Sequence, residues 1–161
     1  MQLVIFTTGG TIDKVYFDAK SHYQVGESEV SRILAEAHAD VEARIVNLMA
    51  KDSLDLGEGD RTVIRRAVET APERHILITH GTDTMAETAR RLVDIPDKVI
   101  VLTGSLAPAR FRASDAPFNL GMAIAALQTA APGVWIVMNG RIFRGDRVWK
   151  NRDRNRFEAT S

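Results

Sequence analysis

Residues 2–11 have the sequence QLVIFTTGGT, in which an apolar run leads into two glycines and a threonine. An apolar, β-branched run that ends in a glycine turn is typical of a strand covered on both faces. Further runs of the same character are found at residues 43–48, 74–79, 98–103 and 133–138. We therefore expect five buried strands.

The segments between these runs have helical periodicity. Apolar residues recur at i, i+3, i+4 and i+7 within residues 30–37, the pattern is repeated within 63–71 and 85–93, and residues 116–131 are more apolar throughout. Strand and helix periods that alternate predict an α/β fold with a doubly wound, mainly parallel sheet and helices on both faces, as in Rossmann-like proteins. The length predicts a single domain that spans residues 1–161.

Composition excludes several classes of protein. The formal net charge is zero, so no overall field attracts nucleic acid or an anionic membrane, and without cysteine neither disulfides nor thiolate catalysis is open to the chain. No run is long enough to span a bilayer, and the first residues lack the features of a signal peptide, so we expect a cytoplasmic protein without membrane contact. From Arg141 onward the sequence is basic and polar. We interpret this tail as solvated surface or an oligomer contact rather than a nucleic-acid site, and expect its last residues to be mobile.

Polar residues follow the predicted strands, where ligands bind in such folds. Four of the segments after these strands are rich in hydroxyls and glycine: Thr7-Thr8-Gly9-Gly10-Thr11, residues 49–55, His80-Gly81-Thr82-Asp83-Thr84 and Thr103-Gly104-Ser105. The two glycines before Thr11 allow a sharp turn that presents backbone amides to a ligand. Neither nucleotide-binding glycine pattern is present. Four such loops together favour a ligand site over simple turns.

The loop at residues 80–84 has two interpretations. The sequence TMAE from Thr84 fits a capping box, so Thr84 is predicted to cap the next helix, with Asp83 complementing the helix dipole. Alternatively, the Asp83 carboxylate suits the ammonium group of an amino acid. His80 is interpreted as a packed, hydrogen-bonded histidine. His75 and His80 are predicted to face opposite sides of a strand, and no metal site is expected.

Taken together, these motifs resemble the bacterial-type L-asparaginase family. Thr8-Gly9-Gly10-Thr11-Ile12 and His80-Gly81-Thr82-Asp83-Thr84-Met85 are similar to its two signatures. Similar segments cover nearly the whole chain: the lid segment with its tyrosine at Ser21-His22-Tyr23-Gln24-Val25-Gly26, the substrate serine at Ser53-Leu54-Asp55, a structural motif at residues 115–120, and the approach to the catalytic lysine at Val137-Met138-Asn139 with Lys150.

The resemblance implies an amidohydrolase that needs no cofactor. Thr11 would attack the side-chain amide of L-asparagine, with L-glutamine as a second candidate substrate. The first proton acceptor would be either Tyr23 or Lys150, the latter within a Thr82–Asp83–Lys150 constellation in which a desolvated lysine acts as a neutral base. The implied substrate-binding residues are Gly10, Ser53, Gly81, Asp83 and Ser105.

Members of the family usually carry a second, C-terminal domain, and a neighbouring subunit supplies an acidic residue to the site. The resemblance therefore implies a short, single-domain form, for which we expect a homo-oligomer, a dimer or tetramer, with the partner touching the segment around Tyr23. Residues 11–26 are interpreted as a mobile lid, or alternatively as an ordered hairpin through Val15-Tyr16-Phe17. A non-catalytic amino-acid-binding module and a domain that binds nucleic acid through the basic tail remain alternatives.

Overall fold

The computed structural model describes residues 1–17 and 22–161. The strands are β1 (Gln2–Gly9), β2 (Lys14–Phe17), β3 (His22–Val25), β4 (Glu42–Lys51), β5 (His75–Thr79), β6 (Val99–Thr103), β7 (Gly133–Met138), β8 (Arg141–Arg144), β9 (Val148–Asn151) and β10 (Arg156–Ala159). The helices are α1 (Val30–Glu36), α2 (Glu58–Thr70), α3 (Met85–Arg90) and α4 (Ala116–Thr129). Among the described residues, none of the helices combines the length and the hydrophobicity that a membrane-spanning segment requires.

A six-stranded sheet in the order β4-β1-β5-β6-β7-β8 forms the centre of the molecule. Its first five strands are mutually parallel, and only β8 runs antiparallel to its neighbour. These five are the strands expected from the apolar runs. The predicted mainly parallel α/β fold with a single domain is therefore confirmed.

The sheet separates two apolar layers because alternate side chains of each strand point to opposite faces. One layer contains Val4 and Ile76 and is covered by α2 and α3. The other contains Leu3 and Leu77 and is covered by α1 and α4. Both faces of the sheet are buried, so β1, β5 and β6 read as continuous apolar runs.

The C-terminal tail is not solvated surface throughout. Residues from 141 onward form β8, which extends the sheet, and an antiparallel hairpin of β9 and β10. Phe157 and Val148 of this hairpin are buried in the same layer as α3, and Phe143 is buried with them. Each of these short strands has one buried residue among more exposed ones, so the segment contributes to the core although its overall composition is polar and basic.

The expected lid is an ordered hairpin in its described part. Strands β2 and β3 pair antiparallel, with Tyr16 opposite Tyr23. The hairpin alternative therefore holds for residues 14–17 and 22–25, while Ser21 of the lid motif lies outside the described residues. Strand β2 follows directly on the turn that begins at Thr11, so the hairpin starts beside this residue.

Candidate active site

Gly10 and Gly81 bring two of the predicted loops into direct contact. A Cβ atom on Gly10, whose φ is +89°, would lie 2.5 Å from the Cα of Gly81, and a Cβ on Gly81 would lie 2.6 Å from the Oγ of Ser53. Only glycine allows this stacking of three chain segments. Thr11 and Thr82, which directly follow the two glycines, are consequently held at the same end of the sheet.

Thr11 begins a short 3-10 turn that ends at Asp13. The turn is anchored by Ile12, whose side chain is buried and whose carbonyl accepts a hydrogen bond from the backbone N–H of Ala109 at 3.0 Å. Thr11 itself is half-buried. The preceding Thr8 hydroxyl donates to the carbonyl of Thr79 at 2.8 Å, so β1 and β5 stay joined up to their carboxyl ends.

The expected constellation of Thr82, Asp83 and Lys150 is assembled. The Nζ of Lys150 donates to the Thr82 hydroxyl at 2.7 Å and to the Asp83 carboxylate at 2.8 Å. Thr82 is nearly buried, and the Lys150 side chain is 10% exposed, whereas Asp83 retains 29% exposure. Asp83 therefore holds the lysine while part of its own side chain remains exposed to solvent.

The β9–β10 hairpin carries Lys150 to this position. Lys150 is paired with Phe157, whose buried ring fixes the hairpin against the α3 side of the sheet. The backbone N–H of Phe157 donates to the side-chain oxygen of Asn139 at 2.8 Å. Asn139 adopts a left-handed φ of 54°, which asparagine tolerates better than most residues.

Thr84 does not have the predicted capping role. It occupies the N-cap position of α3, but its side chain makes no capping hydrogen bond. Its hydroxyl donates instead to the carbonyl of Ser53 at 2.8 Å. The capping-box interpretation is therefore wrong because a tertiary partner has taken the hydroxyl, and Thr84 ties the Ser53 segment to the Thr82 loop.

The hydroxyl of Ser53 is buried at the contact with Gly81. Its Oγ has no hydrogen-bond partner within the described ranges 1–17 and 22–161. Ser53 opens a short 3-10 turn whose first residues are fixed by the Asp52 side chain, which accepts from the backbone N–H of Leu54. A buried hydroxyl without a partner is costly, so this donor suits a polar group of a bound molecule.

Ser105 is buried, but its hydroxyl already donates to the carbonyl of Ala107 at 2.5 Å. The surrounding loop is held by Asp115, which accepts hydrogen bonds from the backbone N–H groups of Leu106 and Ala107. Asn119 also binds this loop, through the carbonyl of Gly104. The motif at residues 115–120 thus shapes the loop. Of the two serines expected to bind substrate, Ser105 is the one whose hydroxyl already has a hydrogen-bond partner.

His80 is packed as expected. It is fully buried, its Nδ1 lies 2.7 Å from the carbonyl of Gly81, and its Nε2 lies 2.8 Å from the Thr88 hydroxyl. Burial lowers its pKa to about 4, so the ring is neutral at physiological pH and its Nδ1–H donates to Gly81. No metal-binding group of three or more His, Asp or Glu residues occurs in the described part of the chain.

Tyr23 lies on β3, in the hairpin that follows Thr11. Its backbone pairs with Tyr16, but its side chain lies outside the described part of the chain. The structure therefore forms two groups of contacts at one end of the sheet. Gly10, Gly81 and Ser53 form the first group, and Thr82, Asp83 and Lys150 form the second. The role expected for Tyr23 stays a prediction.

A buried acidic pair beside Thr11 was missed by the sequence analysis. Asp13 is almost fully buried and accepts a hydrogen bond from the backbone N–H of Glu29 at 2.9 Å. Burial, more than the charge of the neighbouring Glu29, raises the pKa of Asp13 to about 7. For Glu29, burial opposes ionisation, but hydrogen bonds and charges from Arg32 and Arg110 lower its pKa below the ordinary value. The signal in the sequence that could have pointed to this pair is the aspartate two residues after Thr11.

Residues 2–160 match the family model described as "Asparaginase, N-terminal". The chain is 34% identical to the L-asparaginase of Thermococcus kodakarensis, and the match covers 93% of this chain and 48% of that protein. It is 32% identical to a glutaminase-asparaginase of Pseudomonas fluorescens biotype A, and this match covers 92% of this chain and 45% of that protein. The solved Thermococcus enzyme superposes with a TM-score of 0.86 at 30% identity, over 99% of this chain and 51% of that one. A probable cytoplasmic L-asparaginase from Campylobacter jejuni gives 0.80 at 25% identity, over 98% and 51%. The chain spans about half the length of these relatives.

Proposed function

The chain belongs to the asparaginase family, whose N-terminal domain it matches, and we propose on this premise that it hydrolyses L-asparagine to L-aspartate and ammonia. The observation that carries the proposal is the Lys150–Thr82–Asp83 cluster, which lies beside the Gly10–Gly81 contact. A module that only binds amino acids has no need of a buried lysine that contacts one threonine hydroxyl at the same end of the sheet as a second threonine, Thr11. The whole of residues 1–161 would form this catalytic domain.

Thr11 is the proposed nucleophile. Its hydroxyl oxygen attacks the side-chain amide carbon, its proton passes to a base, and the amide nitrogen leaves as ammonia after gaining a proton. This step leaves the aspartyl group esterified to Thr11. Water then attacks the ester, aspartate is released, and Thr11 regains its proton. Backbone N–H groups of the glycine loops are suited to stabilise the oxyanion of each tetrahedral intermediate.

The constellation of Thr82, Asp83 and Lys150 serves proton transfer in this scheme. Because the Thr82 hydroxyl accepts from Lys150, its own proton remains free to be donated to a substrate atom or to a water. Tyr23 and Lys150 are the two candidates for the first proton acceptor. Tyr23→Phe and Lys150→Met, compared by single-turnover kinetics, distinguish them, because the true acceptor is needed for the acylation step.

Substrate binding would use both ends of the amino acid. The exposed side of Asp83 is suited to the α-ammonium group, while the unpartnered Ser53 hydroxyl and the amides around Gly10 and Gly81 are suited to the α-carboxylate. Ser105 would contribute through its place in the buried loop. L-Glutamine, which is one methylene longer, is the second substrate to test.

A homo-oligomer, dimer or tetramer, is the proposed assembly, with a partner chain beside the β2–β3 hairpin. The protein is proposed to work in the cytoplasm, in line with the name of the Campylobacter relative. Exposed apolar side chains support assembly: Phe118 is 61% and Trp149 is 43% exposed. Phe143 on β8, by contrast, is buried and adds nothing to this surface.

The test is ammonia release by the purified protein from L-asparagine, L-glutamine and a blank. Thr11→Val keeps the side-chain volume but removes the hydroxyl, and should lower kcat at least about a thousandfold. Thr11→Ser keeps a hydroxyl and should retain measurable turnover, and Thr62→Val on the exposed side of α2 is the matched control. Full activity in a folded Thr11→Val protein would exclude Thr11 as the nucleophile, and no ammonia from the wild type would exclude the proposed function.

A further inference from the structure

One oxygen of Asp83 is shared between two cationic side chains. Its Oδ1 lies 2.8 Å from the Nζ of Lys150 and 3.6 Å from the Nε of Arg152. The two cations differ in environment: the Lys150 side chain is 10% exposed, whereas that of Arg152 is 62% exposed. Lys150 thus approaches Asp83 from inside the protein, and Arg152 approaches from the solvent side, where a ligand would enter.

The turn between β9 and β10 fixes the backbone of Arg152. The backbone N–H of Asn155 donates to the carbonyl of Arg152 at 3.2 Å, and that of Arg154 donates to the side chain of Asn151 at 3.2 Å. The turn is in its place because Phe157 is anchored in the core two residues after Asn155. Arg152 is therefore kept near Asp83 by the same hairpin that delivers Lys150.

The charges of this group do not balance. One carboxylate and two cations give a net charge of +1 at a place where the proposed function puts a substrate ammonium. A positive group that approaches Asp83 meets Arg152 at short range and is repelled. A ligand without the ammonium, but with the same carboxylates, escapes this repulsion and is attracted.

We propose that Arg152 is a specificity-determining residue that weakens the binding of an α-ammonium group at Asp83 and opens the site to ligands whose α-carbon carries no positive charge. The inference rests on the proposed function, because it takes Asp83 as the group that receives the ammonium. The class of ligand is an ω-amide or ω-acid with an α-carboxylate and an uncharged α-substituent. Asparagine is still bound, but with an affinity reduced by Arg152.

L-Aspartate and succinate separate the two effects, since they differ only in the α-ammonium group. Titration calorimetry of each with wild type and Arg152→Gln should show that the variant binds aspartate about threefold to fivefold more tightly. Fivefold corresponds to about 1 kcal/mol, the interaction of two charges about 4 Å apart in water. Succinate should bind Arg152→Gln equally or more weakly, and the gain for aspartate should shrink at high salt.

Two control variants make the test specific. Arg152→Lys keeps the positive charge and should behave like the wild type. Arg154→Gln removes an equally exposed arginine, 64% exposed, from the same turn, where it pairs with Glu158 rather than Asp83, and should leave both affinities unchanged. These controls separate a charge effect at Asp83 from a change in the turn.

Equal changes for aspartate and succinate in Arg152→Gln would overturn the inference, as would the same selectivity change in Arg154→Gln or an absence of aspartate binding in every variant. Ammonia release is measured separately on the same wild-type protein. An active enzyme with unchanged ligand selectivity in Arg152→Gln refutes only the inference. A protein that binds aspartate with the expected selectivity but releases no ammonia refutes only the proposed hydrolysis.

Discussion

Replacement of Asp13 by asparagine should stabilise the protein above neutral pH and change its stability little in mild acid. Asp13 is 1% exposed and accepts a hydrogen bond from the backbone N–H of Glu29. An asparagine side-chain oxygen can accept the same bond, so the substitution removes the charge and preserves the contact. The ionised carboxylate is the form that burial penalises, and Asp13→Asn relieves that penalty.

The size of the effect follows from the pKa of Asp13, which burial raises from 3.8 to about 7. The folded protein holds this proton more tightly than the unfolded chain, so the stability that the proton contributes is fully present below pH 3.8 and lost as pH rises through 7. The interval from pH 5 to 7 covers about two units at about 1.4 kcal/mol each. Between pH 5 and 8, Asp13→Asn should therefore gain about 3 kcal/mol relative to the wild type.

Urea unfolding of both proteins at pH 5 and pH 8, followed by circular dichroism, measures this difference. Burial lowers the pKa of His80 to about 4 and gives the wild type an opposite pH dependence, which cancels in the comparison because both proteins contain it. Asp94→Asn is the control: the hydrogen bond and charge of Arg65 lower the pKa of this exposed acid, so its substitution should have the same effect at both pH values. An Asp13→Asn difference that is equal at pH 5 and 8 would refute the reasoning.

Three further predictions concern the site and the assembly. Phe157→Ala should cost about 3–5 kcal/mol of unfolding free energy in urea titrations and lower kcat, because the ring anchors the hairpin of Lys150. The exposed Val63→Ala on α2 is the control and should have neither effect. Asp83→Asn should raise the Michaelis constant for asparagine more than Thr84→Ala, which loses one hydrogen bond worth about 1 kcal/mol; equal effects would contradict the ammonium role of Asp83. Light scattering should find a dimer or tetramer, and a monomer with undiminished activity on dilution would contradict the proposed assembly.

The candidate site was predictable where it depends on short motifs and strand order. The residues after β1 and β5 could be grouped from the sequence, because neighbouring parallel strands end at the same edge of a sheet. Lys150 was reached only through family resemblance. The hairpin that carries Lys150 has no strong turn or strand pattern in its sequence. Lys150 is 68 residues from Thr82 in the sequence, and tertiary packing brings the two side chains together.

Thr84 and Asp13 show why the remaining roles were out of reach. A hydroxyl followed three residues later by glutamate is a local pattern for a helix cap, but the Ser53 carbonyl, 31 residues away, is the partner that the folded chain offers to Thr84. Likewise, the pKa of Asp13 depends on how completely the acid is buried and on which charges surround it. The sequence shows neither, so the raised pKa could not be predicted from it.

The amino-acid pattern alone predicted the parallel strands, the helices between them and the edge of the sheet at which the candidate site lies. These features follow from hydrophobic periodicity and from the geometry of parallel sheets, which are local or depend only on chain order. The side-chain contacts, in contrast, depend on tertiary packing: Lys150 and Arg152 contact Asp83, Thr84 contacts Ser53, and Glu29 contacts Asp13. Hydrogen bonds and ion pairs act over a few ångströms, so residues distant in the sequence acquire their chemistry only when packing brings them together.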